Sequence, residues 1–400
     1  MREATVIDSI KRATLFDRPP EKPKPVHVLH VHAGNLYGGV EAMLLTQVRE
    51  RNLCSNLQTS FALCFDGRFS EQLTDAGATI HGLGKVRTRQ PLSVRRARQN
   101  LRELLRLEPV DVVVTHSCWS HAIFGSTVRA ASVPLVSYLH SPATGRHWLE
   151  HWARRTPPDL VLCNSDFTAA SSPRLFPETR AETIYCPVAP PEFPFSRSDR
   201  NGIRTALQTP IDATVIIQVS RMEAWKGHAL HLEALSRLKD LPGWECWQVG
   251  GAQRESELQY LEKLKRTARR LGISERVRFL EQRSDVAKLL AAADIFCQPN
   301  TAAEPFGIAF IEALYAHLPV VTTDIGGARE IVNDSCGVLV QQDDASSLAL
   351  ALRALIQDPA LRSRLGSAGP ARARMICDPG AQLKQFQEAL SGVLHGRQVN

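Results

Sequence analysis

Short runs rich in β-branched residues recur along this chain, and a stretch of helical periodicity separates each run from the next. Strands joined through helices pair in parallel and are covered on both faces, which gives a doubly wound α/β layer structure. A first series comprises VHVLHVH from Val26, TSFALCF from Thr59, DVVVTH from Asp111, PLVSYLH from Pro134 and DLVLCNS from Asp159. A second comprises ATVIIQVS from Ala213, WECWQVG from Trp244, RVRFL from Arg276, DIFCQP from Asp294, PVVTT from Pro319 and GVLV from Gly337. Between them Pro187, Pro190, Pro191 and Pro194 crowd one short segment, which can continue neither a helix nor a central strand. With 400 residues, too many for one core, the expected fold is two Rossmann-like domains facing across a cleft. The boundaries read as an arm over 1–25, a first domain over 26–188, a linker over 189–200, a second domain over 201–378 and a closing helix over 379–400.

Bulk properties narrow the class. No apolar stretch approaches the roughly 18 residues a spanning helix needs, and the first residues carry neither an apolar h-region nor a small-residue cleavage site. The nine cysteines lie singly, without the paired spacing of a disulfide framework or a zinc site, and several fall inside apolar runs. A reducing cytoplasm is the expected compartment. A net charge of +7 favours acidic partners such as nucleotides or anionic lipid. The densest basic segment, Arg87 to Arg106, sets Val94, Leu101, Leu104 and Leu105 at helical spacing between arginines. Such a helix usually covers a globular domain and less often docks peripherally on a membrane surface, here the inner face.

Ligands of doubly wound sheets bind outside the carboxyl ends of the strands, so loops that follow strands hold the candidate chemistry. After ATVIIQVS come Arg221 and Lys226, then Gly227. A planar guanidinium and a compact ammonium on one loop suit a diphosphate, although a solvated pair in a surface turn would have the same spacing. After DIFCQP comes Glu304-Pro-Phe-Gly-Ile-Ala-Phe-Ile-Glu312. Pro305 fits a first helical turn, and the N–H groups of Phe306, Gly307 and Ile308 would then form an anion site, with Gly307 allowing close approach of a ligand. Glu304 alone also reads as a capping carboxylate. Glu312, on a helix otherwise apolar, wants a polar partner such as a ribose hydroxyl.

These elements in this order resemble glycosyltransferase family 4, the retaining enzymes of GT-B fold. The family pattern R-x(4)-K-G, E-x(7)-E and G-x-P-V-V followed by G-G-x-x-E stands here as RMEAWKG, EPFGIAFIE and HLPVVTTDIGGARE. The resemblance runs from about Val26 to the C-terminus and makes the first domain the acceptor domain, the second the nucleotide-sugar domain. It implies that Arg221 and Lys226 hold the diphosphate, that Glu304 lies by the sugar ring, and that Glu312 bonds the ribose. Gly326, Gly327 and Glu330 match a turn of less direct role. His140 matches a position where the family sets a histidine beside the transferred sugar; His116 also ends a strand and reads equally as an ordinary bonded histidine. Gly38 and Gly39, in a glycine-rich loop opening a helix, would approach the phosphates from across the cleft. The last helix, bearing Leu383, Phe386, Leu390 and Leu394 on one face, would cross back to the first domain. Ser220, Asn300 and His317 depart from the family's usual glycine, serine and glycine, without removing a charge.

The expected activity is a retaining, metal-independent transfer of a sugar from a nucleoside diphosphate to a hydroxyl acceptor, whether glycan, lipid-linked or small molecule. No cofactor is expected beyond the nucleotide sugar itself, and no D-x-D motif is present. Competing readings are an epimerase or sugar phosphorylase on the same fold, and a non-catalytic nucleotide-sugar-binding subunit. A nucleic-acid binder is weakest, since no recognition module accompanies the charge.

Overall fold

The computed structural model describes residues 24–35, 37–191 and 195–398. The arm expected over 1–25 lies almost wholly outside the described residues, as does Pro194 of the proline-rich segment. The first sheet has seven strands: β1 (Val26–His32), β2 (Leu57–Leu63), β3 (Thr79–Gly82), β4 (Val112–His116), β5 (Leu135–Leu139), β6 (Leu160–Cys163) and β7 (Ala181–Thr183). Their spatial order is β3-β2-β1-β4-β5-β6-β7, every pair parallel. The second sheet has six: β8 (Thr214–Val219), β9 (Trp244–Val249), β10 (Val277–Phe279), β11 (Ile295–Gln298), β12 (Val320–Thr323) and β13 (Gly337–Val340), in the order β10-β9-β8-β11-β12-β13. These too are all parallel.

In both sheets the winding direction reverses beside the first strand, between β1 and β4 and between β8 and β11. A crevice opens at such a reversal because the crossovers on its two sides depart in opposite directions. The loops after β1, β4, β8 and β11 carry most of the candidate residues and lie at these two reversals. The central strands are buried on both faces, which explains their unbroken apolar runs: every residue of β4, β5, β11 and β12 is buried.

Two local expectations are corrected. The helix after β11 is Ile308–Tyr315, not one begun at Pro305, because Gly307 occupies the left-handed region (φ 112°) as its N-cap. A Cβ there would run into the Phe310 ring, so this glycine is required by packing. The linker also ends sooner than residue 200. Ser196 caps a helix Arg197–Ala206 whose Arg200 and Arg204 both pair with Asp294 at 2.6 Å, tying it to the second sheet.

The final helix, Pro379–Gln398, packs against the helix Gly39–Arg49 and the 3-10 turn Arg51–Cys54. Leu383, Phe386 and Leu390 are buried there, and Phe386 stacks on His30 of β1 with ring centroids 6.0 Å apart. Burial of three such side chains contributes roughly 5 kcal/mol. The chain thus returns from the second sheet to close on the first.

Candidate active site

Glycine geometry draws the β8 and β11 loops together. Gly227 adopts φ 75° at the end of the turn Ala224–Lys226, and a Cβ on it would collide with the Pro299 carbonyl. This close approach also lets Thr301 N donate to the Trp225 carbonyl at 2.8 Å. Lys226 Nζ consequently reaches Glu304 Oε2 at 2.5 Å, while lying 3.9 Å from the Trp225 ring centroid. Gln298 and Asn300 amide groups approach the same carboxylate oxygen at 3.3 and 3.4 Å. Glu304 is buried, and a carboxylate so enclosed is held by the cation and the amide dipoles around it.

Arg221 faces another way. It pairs with Glu257, from the helix Glu255–Arg270, and lies 3.4 Å from Glu223. Glu257 also accepts from the Gln253 N–H at 2.6 Å. In this state Arg221 and Lys226 each hold a different carboxylate.

Glu312 stands on the second turn of the helix Ile308–Tyr315, and among the described residues its carboxylate has neither a hydrogen bond nor an ion pair. Burial pushes its pKa up to about 7. At the start of that helix, the N–H groups of Phe306, Gly307 and Ile308 are free of backbone partners among the described residues. Gly39 lies opposite: a Cβ added to it would stand 3.5 Å from Ile308 Cδ1. The Gly38 N–H is capped by Glu41 Oε2 at 2.8 Å, and Glu41 Oε1 holds His32 Nε2 at 2.7 Å. Gln253 Nε2 reaches the Tyr37 carbonyl at 3.1 Å, a second link between the two halves.

His140 follows β5 and is 8% exposed; His116 at the end of β4 is fully buried, with its Nδ1 2.9 Å from His140 Nε2. Burial depresses both, His140 to about 3 and His116 well below its ordinary value. A cavity of about 730 Å³ adjoins His140, bordered by Ser117, Trp119, Ser141 and Arg146 among others.

Sequence reasoning left Glu330 without a definite role. Its two carboxylate oxygens accept the Asp166 and Phe167 N–H groups, both at 2.8 Å, so a residue of the second domain caps a helix of the first. Ser165 Oγ donates to the Pro305 carbonyl at 2.5 Å beside it, and Tyr185 stacks on Phe306 at 5.6 Å. Gln298, Glu257 and Glu41 were missed altogether. Only an acidic residue in a first helical turn hinted at Glu257 and Glu41.

Two family profiles match the chain. Residues 37–190 match Glycosyltransferase Family 4, and residues 199–372 match Glycosyl transferases group 1. The lipopolysaccharide core biosynthesis glycosyltransferase LpsE of Rhizobium meliloti (strain 1021) is 34% identical over 167 residues, 42% of this chain and 46% of that protein. This chain therefore spans less than half the length of that relative in the match. LpsD of the same organism, described in the same words, is 27% identical over 86% of this chain and 91% of its own. The structure of Anabaena Alr3699/HepE in complex with UDP and glucose superposes with a TM-score of 0.80 at 25% identity, covering 92% of this chain and 100% of that one.

Proposed function

The chain belongs to glycosyltransferase family 4, and from that premise we propose that it moves a sugar from a nucleoside diphosphate to a hydroxyl acceptor, retaining anomeric configuration and using no metal ion. The observation that carries this is the Lys226–Glu304 pair, set at adjacent strand ends opposite the Gly38–Gly39 loop. Lys226 and Arg221 bind the diphosphate in place of their present carboxylate partners. The N–H groups of Phe306, Gly307 and Ile308 add dipolar stabilisation, and Glu312 accepts a ribose hydroxyl. Glu304, released from Lys226, faces the reacting sugar, with His140 across from it.

In the chemical step the bond between the anomeric carbon and the phosphate oxygen breaks. The acceptor oxygen forms its bond to that carbon on the same face, and its proton passes to the leaving phosphate. Arg221 and Lys226 stabilise the charge that develops on the diphosphate, where preorganised cations act more strongly than in water. No carboxylate is assigned as a nucleophile; Glu304 stabilises the cationic sugar.

The Anabaena relative binds UDP and, in another structure, UDP-glucose, which makes uridine donors the first to test. Acceptor-dependent release of nucleoside diphosphate, unaffected by chelator, with an α-configured product from an α-configured donor, is the expected result. An isomerised sugar without acceptor would favour an epimerase, and binding without turnover a non-catalytic subunit.

The proposal extends to peripheral contact with an anionic membrane face. Arg95, Arg98, Arg102 and Arg106 line a groove of about 1010 Å³ with Trp152, opposed by the single carboxylate of Glu103. Trp148, stacked on Trp152, stays 53% exposed, and Leu92, in the first turn of the helix Pro91–Leu107, 79%. Cosedimentation with phosphatidylglycerol vesicles but not phosphatidylcholine vesicles, abolished in R95E/R102E, is expected; equal partitioning would remove this part of the proposal. Among the described residues no helix is long and apolar enough to cross a membrane.

A further inference from the structure

Three histidines from three adjacent strands form a hydrogen-bonded column below the cleft. His30 belongs to β1, His116 ends β4 and His140 follows β5. His30 Nδ1 lies 2.9 Å from His116 Nε2, and His116 Nδ1 lies 2.9 Å from His140 Nε2. Their rings stack at 5.1 and 5.2 Å between centroids. His32 stands apart: it bonds Glu41 and meets His116 edge-on at 6.0 Å.

Burial keeps the column uncharged, with His30 and His140 pushed down to about 3. A neutral imidazole has one N–H and one bare nitrogen. Three rings carry three N–H groups, and the two bonds use two of them. Because His116 can donate only once, both bonds must run in the same direction. Either both run toward His140, leaving its Nδ1 protonated, or both run toward His30, leaving the third N–H on His30 Nε2.

The two ends are not equivalent. His30 is completely buried and packs on Phe61 and Phe386 at 5.1 and 6.0 Å, and its Nε2 has no partner among the described residues. An N–H there would remain an orphan in apolar surroundings, the costlier kind of unmet group. His140 Nδ1 is likewise buried and unpartnered, but His140 itself lines the cavity, so this end of the column, unlike the His30 end, stands beside space that water or a sugar can occupy.

We propose that His30 and His116 are positioning residues that hold His140 in its Nδ1–H tautomer, so that His140 offers the cleft a hydrogen-bond donor and not a base. The inference rests on the reading of His140 as a residue beside the transferred sugar. A ring or hydroxyl oxygen of that sugar accepts the bond, and the acceptor's proton must go elsewhere, to the leaving phosphate.

Nitrogen-15 histidine labelling of the full chain tests this directly. Long-range proton–nitrogen correlation separates protonated from bare ring nitrogens, and His140→Asn identifies the His140 signals by their loss. His140 is expected protonated at Nδ1 and bare at Nε2; the opposite pattern overturns the proposal whatever the activity. His30→Leu removes the bond that holds His116 Nε2 as an acceptor, so the direction is no longer enforced by a partner at that end. It should let His140 populate both tautomers and lower kcat about three- to tenfold, the scale of one net hydrogen bond, with sugar-donor KM little changed. His30→Asn puts an amide N–H in place of Nδ1–H and should restore both tautomer and rate, with thermal unfolding reporting that each variant folds. Equal losses in the two variants, or a locked tautomer in His30→Leu, would refute the positioning role. Should the tautomer prove locked while His140→Asn transfers sugar normally, the column stands and the assignment of His140 to the sugar falls.

Discussion

Lys226 Nζ lies 2.5 Å from Glu304 Oε2, although 78 residues separate the two in sequence. Both side chains are largely buried, so each compensates a charge that would otherwise be stranded in low dielectric. Arg221 and Glu257 stand in the same relation one loop away. On the proposed reading a diphosphate would take the place of these carboxylates as partner of the two cations, which the carboxylates hold in position beforehand.

Lys226→Ala or Arg221→Ala is expected to lower kcat/KM for the nucleotide sugar by a factor corresponding to about 2–4 kcal/mol, the scale of one preorganised electrostatic group. Steady-state kinetics on variants of normal thermal stability measure it. Turnover within threefold of the unaltered protein in either variant would dismiss the clamp.

The two glutamates should separate by kinetic signature. Glu312→Ala is expected to weaken nucleotide binding with kcat little changed, because a ribose contact serves ground and transition states alike. Glu304→Ala should cut kcat more than affinity, since the proposed function sets it against the reacting sugar. The reverse pattern in nucleotide titration and turnover would exchange their roles.

Glu312 also gives a pH signature. Its folded-state pKa, about 7, lies above the ordinary 4.5 of an exposed glutamate. Its contribution to stability is therefore fully present below about pH 4.5 and is lost as pH rises toward 7, because the native state binds the proton more tightly than the unfolded chain. A ribose hydroxyl donating to the carboxylate favours the ionised form, so nucleotide binding near pH 6.5 should release a proton and tighten with rising pH. Calorimetric titration in buffers of different ionisation enthalpy reads this release, which Glu312→Gln should abolish. Buffer-independent heats in the unaltered protein would argue against the ribose contact.

Glu330 caps Asp166 and Phe167 from the other domain, so Glu330→Ala should destabilise the protein by about 1–2 kcal/mol, the upper range of a lost helix cap. The same loss should loosen the domains, visible as a larger radius of gyration in solution scattering. Unchanged melting and unchanged dimensions would reduce this contact to a surface feature.

Removing the chain from Gly380 onward takes away Leu383, Phe386 and Leu390, which bury against the first domain. The expected result is loss of transfer with nucleotide binding retained, since catalysis needs both halves at a fixed separation. Full transfer by the truncated protein would show that the helix only covers a surface. Phe386→Ala offers a milder probe, expected to cost about 3–5 kcal/mol of stability.

Strand and helix order follows from local apolar periodicity, a property of neighbouring residues, and so the two parallel sheets were legible in the chain. Motif spacing likewise singled out Lys226, Glu304 and Glu312. What it lacked was any distance between loops. Lys226 meets Glu304 because Gly227 abuts the Pro299 carbonyl, a contact between segments dozens of residues apart. Gly307 read as clearance for a ligand, yet its open side is filled by Phe310 of its own helix. The histidine column needed the order β1, β4, β5 before three scattered histidines became one hydrogen-bonded array, and Glu330 found its partners only once the domains were apposed. Sequence fixes what can be decided within a turn or a strand; which charges meet is settled by packing, since it depends on where long-range backbone contacts allow two loops to touch.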